Sequence, residues 1–105
     1  MSYIYTFIRE DISFAQKIVQ IGHASYEAGK LFQDKEGISN LILLSARDED
    51  DLISISERLE AAGIDFYMFY EPDFGMGNSA ICTRPVSDKK ERALFKRWDL
   101  YKHTS

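Results

Sequence analysis

Val19-Gln20-Ile21-Gly22-His23-Ala24 is the segment of this 105-residue sequence from which the fold can be inferred. It lies inside Asp11–Phe32, which is predicted to be a long helix because its apolar residues recur at a helical period. One face of that helix carries an apolar stripe made of Phe14, Ile18, Ile21, Gly22, Ser25, Gly29 and Phe32. The polar residues fall on or beside the opposite face, namely Gln16, Gln20, His23, Glu27 and Lys30. A helix with such a stripe folds without His23, so this residue is either a functional group or a tolerated surface residue.

The remaining pattern predicts four strands and two more helices. Ser2–Arg9 is rich in aromatic and β-branched residues and is predicted to be a strand. Leu41–Ala46 is a short apolar run typical of a buried strand, and two further strands are predicted over Ile64–Tyr70 and Ser79–Thr83. A helix is predicted over Asp48–Ala62, with an apolar stripe of Leu52, Ile55, Leu59 and Ala62. A last helix is predicted over Asp88–Tyr101, with Leu94, Trp98 and Tyr101 facing the core. The order β-α-β-α-β-β-α predicts a single α/β domain over residues 1–105, a mixed four-stranded sheet covered by three helices and ending in a hairpin.

The composition is that of an ordinary globular protein, with 45% hydrophobic and 29% charged residues. No apolar run approaches the ~18 residues that cross a bilayer, and the N-terminus shows no signal peptide. Cys82 is the single cysteine, so no intramolecular disulfide can form. We therefore expect a cytoplasmic protein without membrane contact.

The charge is uneven along the chain. Residues 87–105 carry six Lys and Arg against three acids, a net +3, whereas the rest carries seven against fourteen, a net −7. The basic segment fits either phosphate contact or a solvated helix face, and the acidic total argues against tight non-specific nucleic-acid binding. No zinc-ligand spacing links His23, His103 and Cys82, and Gly75-Met76-Gly77 is no phosphate loop. We expect neither a metal nor a cofactor.

The candidate chemistry lies in His23 together with Gln20, Asp73 and Lys17. Imidazole exchanges protons near neutral pH, a carboxylate orients it or activates water, and an amide binds a carbonyl or phosphate. The competing interpretation is an exposed His23 and a turn in which Asp73 bonds its own backbone. A nucleophilic Cys82 paired with His23 is a third reading, although cysteines within strands are usually buried and inert.

The segment Val19–Ala24 resembles the helix-one signature of type 2 peptidyl-tRNA hydrolases, which is glutamine, two residues, then histidine and alanine. The resemblance covers nearly the whole chain, because the other predicted elements occur in matching order. It implies a small α/β fold with a mixed four-stranded sheet. It also implies hydrolysis, without metal, of the ester joining a peptide to the 3′ end of tRNA.

The same resemblance implies roles for individual residues. Its glutamine and histidine correspond to Gln20 and His23, its loop aspartate to Asp73, and a loop glycine to Gly77. The sequence departs from the pattern at two places. The family's lysine position, seven residues before His23, is Gln16, and Lys17 follows one residue later, rotated by ~100° around the helix. The threonine expected after the aspartate is also absent, and Asn78 or Ser79 would take its place.

Three functions follow as hypotheses. In a hydrolase, Asp73 or His23 activates water, Lys17 stabilises negative charge and Gln20 binds the acceptor end. Basic residues of the last helix would then contact tRNA phosphates, namely Lys89, Lys90, Arg92, Lys96 and Arg97. The second hypothesis is an inactive RNA- or protein-binding module on the same fold. The third is a homodimer-forming scaffold using the aromatic residues Tyr67, Phe69, Phe74 and Trp98, although these are more typical of a core.

Overall fold

The four strands form one mixed sheet in the order β2-β1-β4-β3. The computed structural model describes residues 1–33 and 37–102. Its strands are β1 (Tyr3–Arg9), β2 (Asn40–Ala46), β3 (Phe66–Glu71) and β4 (Gly77–Thr83). β1 pairs in parallel with β2, and β4 lies antiparallel between β1 and β3. The predicted β-α-β-α-β-β-α order, the mixed sheet and the hairpin of the last two strands are confirmed.

The three helices begin where a side chain can satisfy the free backbone N–H groups of a first turn. They are α1 (Phe14–Leu31), α2 (Glu49–Ala61) and α3 (Lys89–Leu94). Ser13 and Gln16 form a capping box at α1, whereas Asp48 and Asp88 cap α2 and α3. Gly63 follows α2 with a φ of +73°, in the left-handed region that favours glycine at a helix end.

The last helix is much shorter than the sequence predicts. α3 ends at Leu94, a 3₁₀ turn covers Phe95–Arg97, and Trp98 is extended. The chain then runs along the free edge of β2, where the N–H of Ser45 donates to Asp99 and that of Tyr101 donates to Leu43. Pairing with this sheet edge satisfies backbone groups that a longer helix would leave open, so the prediction of a helix to Tyr101 is wrong.

The helices cover the sheet unequally. α2 and α3 pack on one face, over a core cluster that includes Tyr5, Phe7, Leu44, Ala46, Leu52, Ile55, Leu59, Ile64, Ile81, Val86 and Phe95. Leu94 and Trp98 pack against this cluster, as predicted. α1 packs alone on the other face, where its Ala24 and Ala28 form a second cluster with Ile8, Ala80 and Cys82 of the sheet. Tyr101 joins this second cluster, so it faces the core on the side opposite to α3.

The side of α1 that faces the sheet differs from the apolar stripe in the sequence. Phe14 and Ile18 are 50% and 57% exposed, whereas Gln20 is 3% exposed. Ala24 and Ala28 are the other buried residues of this helix, and they meet the small Ala80 and Cys82 of the sheet. Small side chains on both surfaces allow the helix to lie close to the strands, which leaves the larger apolar residues on the outside.

The outcome for other predicted regions is mixed. Leu52, Ile55 and Leu59 of α2 are buried as the stripe predicts, but Ala62 is exposed. Of the four aromatic residues considered for a dimer interface, Phe74 is exposed and the other three are partly buried. Residues 34–36, between α1 and β2, lie outside the described residues, as does His103. Within the described ranges, no helix has the length and apolar character needed to cross a membrane.

Candidate functional site

The candidate site lies where α1 crosses the end of β3 and the beginning of β4. We call it the α1 cluster, and its members are Gln20, His23, Phe69, Glu71 and Ser79. Phe69 and Glu71 are two residues apart on β3, which allows both side chains to face the same helix. The site is therefore supplied by α1 together with the two strands of the β3–β4 hairpin, which lies far from α1 in sequence.

Gln20 is the buried centre of the α1 cluster. Its Oε1 accepts a hydrogen bond of 2.5 Å from the Ser79 hydroxyl, and its Nε2 donates one of 3.0 Å to Oε2 of Glu71. Both ends of the amide are thus occupied by protein groups. Because the side chain is almost fully enclosed, it acts to hold Glu71 and Ser79 in place.

The Glu71 carboxylate is stabilised in its ionised form. The hydrogen bond from Gln20 lowers the pKa of Glu71 most, and a second one of 3.2 Å from the backbone N–H of Asp73 lowers it further. Partial desolvation opposes these effects, whereas the nearby His23 adds to them. The result is a pKa below the ordinary value of a glutamate, so Glu71 carries a negative charge at neutral pH.

His23 lies on the exposed side of the cluster, as a surface group and not a core one. Its ring stacks on Phe69 with 4.6 Å between centroids and 5° between planes. One face of the imidazole is therefore covered by an aromatic ring while the residue keeps its access to solvent. This arrangement fixes the ring plane and leaves the nitrogen atoms at its edge for proton exchange.

Asp73 contacts the α1 cluster through its backbone N–H, which donates to Glu71. It begins a 3₁₀ turn, Asp73–Gly75, and its carboxylate is exposed. Phe74 has a left-handed φ of 61° and is 85% exposed, which is uncommon for an aromatic residue. The turn thus presents an acid and an aromatic ring beside Glu71, held in a conformation that local preference does not favour.

The beginning of β4 is hydrogen-bonded to Glu49 of α2, on the sheet face opposite to α1. Oε2 of Glu49 accepts from the backbone N–H of Asn78 at 2.7 Å and from its Nδ2 at 3.2 Å. A Cβ at Gly77 would overlap the same carboxylate, and the φ of +75° there also favours glycine. Nη1 of Arg9 donates to the carbonyls of Met76 and Asn78. Gly77, Asn78 and Ser79, predicted to bind substrate, are therefore engaged in internal contacts.

Lys17 makes its contacts outside the α1 cluster. Its ammonium lies 3.3 Å from the Glu10 carboxylate and 3.4 Å from the Tyr101 hydroxyl. Burial tends to lower the pKa of Lys17, but these two partners outweigh it and raise the pKa above its ordinary value. Lys17 is thus a charged group near the C-terminal segment. It lies one residue, or ~100° around the helix, from the position that the resemblance assigns to lysine.

The five predicted tRNA-contacting residues lie on α3 and the 3₁₀ turn after it, over the sheet face opposite to α1. Four of them, Lys89, Lys90, Lys96 and Arg97, are exposed. Arg92 is partly buried, and its guanidinium lies 3.9 Å from the centre of the Tyr3 ring. They form a basic surface that is separated from His23 by the thickness of the sheet.

Cys82 and metal chemistry are separate from the α1 cluster. Cys82 is buried in β4, and burial raises the pKa of its thiol, which makes it a poor nucleophile. Among residues 1–33 and 37–102, no group of three His, Cys, Asp or Glu side chains is placed to hold a metal ion.

Glu71 and Phe69 are the members of the cluster that the sequence did not assign to the site, Phe69 having been considered only for a dimer interface. The acidic turn after β3 drew attention to Asp73, which is exposed, instead of Glu71 at the strand end. The available signal was the two-residue spacing of Phe69 and Glu71, which places both on one sheet face. Comparison with known family models gives no match for this chain, and comparison with curated proteins gives none.

Proposed function

We propose that this protein is a metal-independent hydrolase that cleaves the ester between a peptide and tRNA, with the α1 cluster as its site. One observation carries the proposal: an exposed imidazole, His23, is close enough to Glu71 to lower the pKa of that carboxylate, which also accepts a hydrogen bond from the buried amide of Gln20. These are groups suited to ester hydrolysis by general acid–base catalysis. The mixed four-stranded sheet is also the fold that the resemblance in Val19–Ala24 implies, which supports the same assignment.

In the proposed reaction, His23 takes a proton from water while the water oxygen attacks the ester carbonyl carbon. The bond between that carbon and the ribose oxygen then breaks, and His23 returns the proton to the leaving oxygen. Glu71 stabilises the imidazolium that forms between the two steps. Groups in such roles contribute rate factors of about 10²–10⁴.

Two roles differ from those that the resemblance implies. We assign Gln20 to positioning Glu71, because both ends of its amide are occupied by protein partners. We keep Asp73 as an exposed carboxylate at the rim that a bound substrate can approach. Lys17 would have to leave Glu10 and Tyr101 to stabilise negative charge at the ester.

Substrate binding would use two surfaces. The exposed ring of Phe74 is suited to stacking on an unpaired base at the 3′ end of tRNA. The basic surface of α3 would contact phosphates of the same tRNA, which requires the nucleic acid to pass around the edge of the sheet. A cytoplasmic location follows from this substrate.

The test is release of the peptide from N-blocked aminoacyl-tRNA by the purified protein in the presence of a chelator. We expect turnover by the wild type, and a loss of about 100-fold or more in His23→Ala. Glu71→Gln and Asp73→Asn identify the carboxylate that acts, and Glu57→Gln on the exposed side of α2 is the matched control. Activity that survives His23→Ala contradicts the site, and activity abolished by the chelator contradicts the metal-free reaction.

A binding module without catalysis is the second candidate. It is favoured by the internal engagement of Gln20 and Lys17, which leaves His23 with fewer polar groups free to act on a substrate. Binding of tRNA that weakens with salt, together with no turnover, would support this function. No tRNA binding at low salt would favour a protein partner instead.

A further inference from the structure

The groove beside α3 is separate from the α1 cluster and lies on the other side of the sheet. It encloses about 560 Å³, within the usual range for small-molecule sites. Its lining consists of Tyr5, Ile42, Leu44, Lys89, Arg92, Ala93, Phe95, Lys96, Trp98 and Leu100. These residues divide into an apolar floor and a basic rim.

The floor is built by the sheet and by the turn after α3. Ile42 and Leu44 come from β2, and Tyr5 from β1 stacks on Phe95 with 3.7 Å between ring centroids. Leu100 is 60% exposed at one side of the groove. Tyr5, Leu44 and Phe95 are almost fully buried, so the apolar surface that a ligand can cover belongs to the more exposed lining residues, Ile42, Ala93, Trp98 and Leu100. Covering it with an apolar ligand is favourable by about 25 cal/mol per Å².

The rim is a row of cations on one side of a helix. Lys89, Arg92 and Lys96 are three and four residues apart, so α3 and the turn after it present them toward the same groove. Among the residues that the structure describes, no acidic side chain lines the groove. The row therefore favours a negatively charged group at the edge of the apolar floor.

Arg92 supplies an independent observation. Its guanidinium is fixed by stacking on Tyr3, and its Nε is buried with no hydrogen-bond partner among the described residues. The contact with Tyr3 keeps the charged end of Arg92 beside the groove that this side chain helps to line.

We propose that this groove binds a small amphipathic anion, with a carboxylate or phosphate group on the basic rim and an aliphatic or aromatic body on the apolar floor. The groove shares no residue with the α1 cluster, so the proposal does not depend on hydrolysis at that cluster. Its rim is part of the basic surface proposed to contact tRNA phosphates, so the anion and tRNA would compete for Lys89, Arg92 and Lys96.

The experiment uses Trp98, the single tryptophan of the chain, as a fluorescence probe within the groove. The full-length protein is titrated with octanoate, octyl phosphate, octanol and octylamine, which share one apolar chain and differ in charge. We expect saturable changes with the two anions and at least about fivefold weaker binding of octanol. Equal affinity for octanol and octanoate would overturn the proposal, as would no saturable response to either anion.

Variants separate the rim from the floor. Lys96→Glu and Lys89→Glu should each weaken octanoate binding about fivefold or more, whereas Lys90→Glu, with the same charge change outside the groove lining, should not. Ala93→Leu fills the groove without changing charge and should also weaken binding. Circular dichroism checks that each variant is folded. Equal effects of Lys90→Glu and Lys96→Glu would overturn the proposal, as would a Trp98 response to a short single-stranded RNA and not to octanoate.

Discussion

Helices α1 and α2 cover opposite faces of one sheet, but they divide their apolar residues between sheet and solvent in opposite ways. α2 buries Leu52, Ile55 and Leu59 and exposes mostly charged and small polar residues. α1 buries Gln20, Ala24 and Ala28 and exposes larger apolar residues, Phe14, Ile18, Val19 and Tyr26. The interface of α2 is therefore made by apolar volume, whereas that of α1 combines close approach of small residues with a buried polar contact.

The reason for the difference lies in the sheet surfaces. The side chains under α2 are large, and they interdigitate with leucine and isoleucine. Under α1 the buried sheet residues are Ile8, Ala80 and Cys82, and the two alanines of the helix pack against them. Larger partly buried sheet residues surround this centre, namely Ile4, Leu43, Tyr67 and Phe69. The buried polar pair of Gln20 and Ser79 is tolerated there because each group has a hydrogen-bond partner.

The largest expected effect is on the inner face of α2. Leu52→Ala removes a fully buried side chain and should lower the free energy of unfolding by about 2–5 kcal/mol. Ile18→Ala in the exposed stripe of α1 should change it by no more than about 0.5 kcal/mol. Urea denaturation monitored by circular dichroism measures both values. Similar losses for the two variants would show that the α1 stripe is buried and would remove the contrast.

A smaller effect is expected for the polar contact under α1. Gln20→Leu leaves the Ser79 hydroxyl with only the longer 3.4 Å contact to the Phe69 carbonyl, and should cost about 1–3 kcal/mol in the free energy of unfolding. The double variant Gln20→Leu with Ser79→Ala should recover part of that loss, because both polar groups are then absent. The same denaturation series gives the coupling between the two positions. Strictly additive losses would mean that the hydrogen bond does not contribute.

The smallest effect is a pH dependence of stability that comes from Glu71 in the α1 cluster. The folded-state pKa of Glu71 lies below its ordinary value of 4.5, so the charged carboxylate stabilises the fold above pH 4.5. This contribution is lost as the pH falls through the lowered value. The stability difference between wild type and Glu71→Gln should therefore shrink in acid. In a Gln20→Leu background the pH dependence should be weaker, and an unchanged dependence would mean that Gln20 is not its cause.

The fold was largely predictable, because each strand and helix is signalled by nearby residues. α2 ends at Ala61, one residue before the predicted Ala62, and Gly63 follows it. The β-α-β-α-β-β-α order also agrees with the structure. The end of α3 was not predictable, since the pairing of Asp99 and Tyr101 with β2 joins residues far apart in sequence. A periodicity in one segment contains no information about an open sheet edge elsewhere.

The candidate site was predictable only in part. Gln20 and His23 were identified from a six-residue segment, and the structure places both in the α1 cluster. Glu71, which completes the cluster, and the engagement of Lys17 by Glu10 depend on contacts between separate elements. Their roles in catalysis remain the proposal that the hydrolysis assay tests.

Sequence alone determines the order of elements, the mixed sheet and the segment that carries Gln20 and His23, because these depend on local periodicity and turn residues. Only the tertiary structure decides which side of α1 meets the sheet. Helical periodicity shows that α1 has an apolar side, but burial also depends on the size of the side chains opposite. The small residues of β4 admit Ala24 and Ala28 and bring Gln20 to Glu71, which leaves Phe14 and Ile18 in solvent.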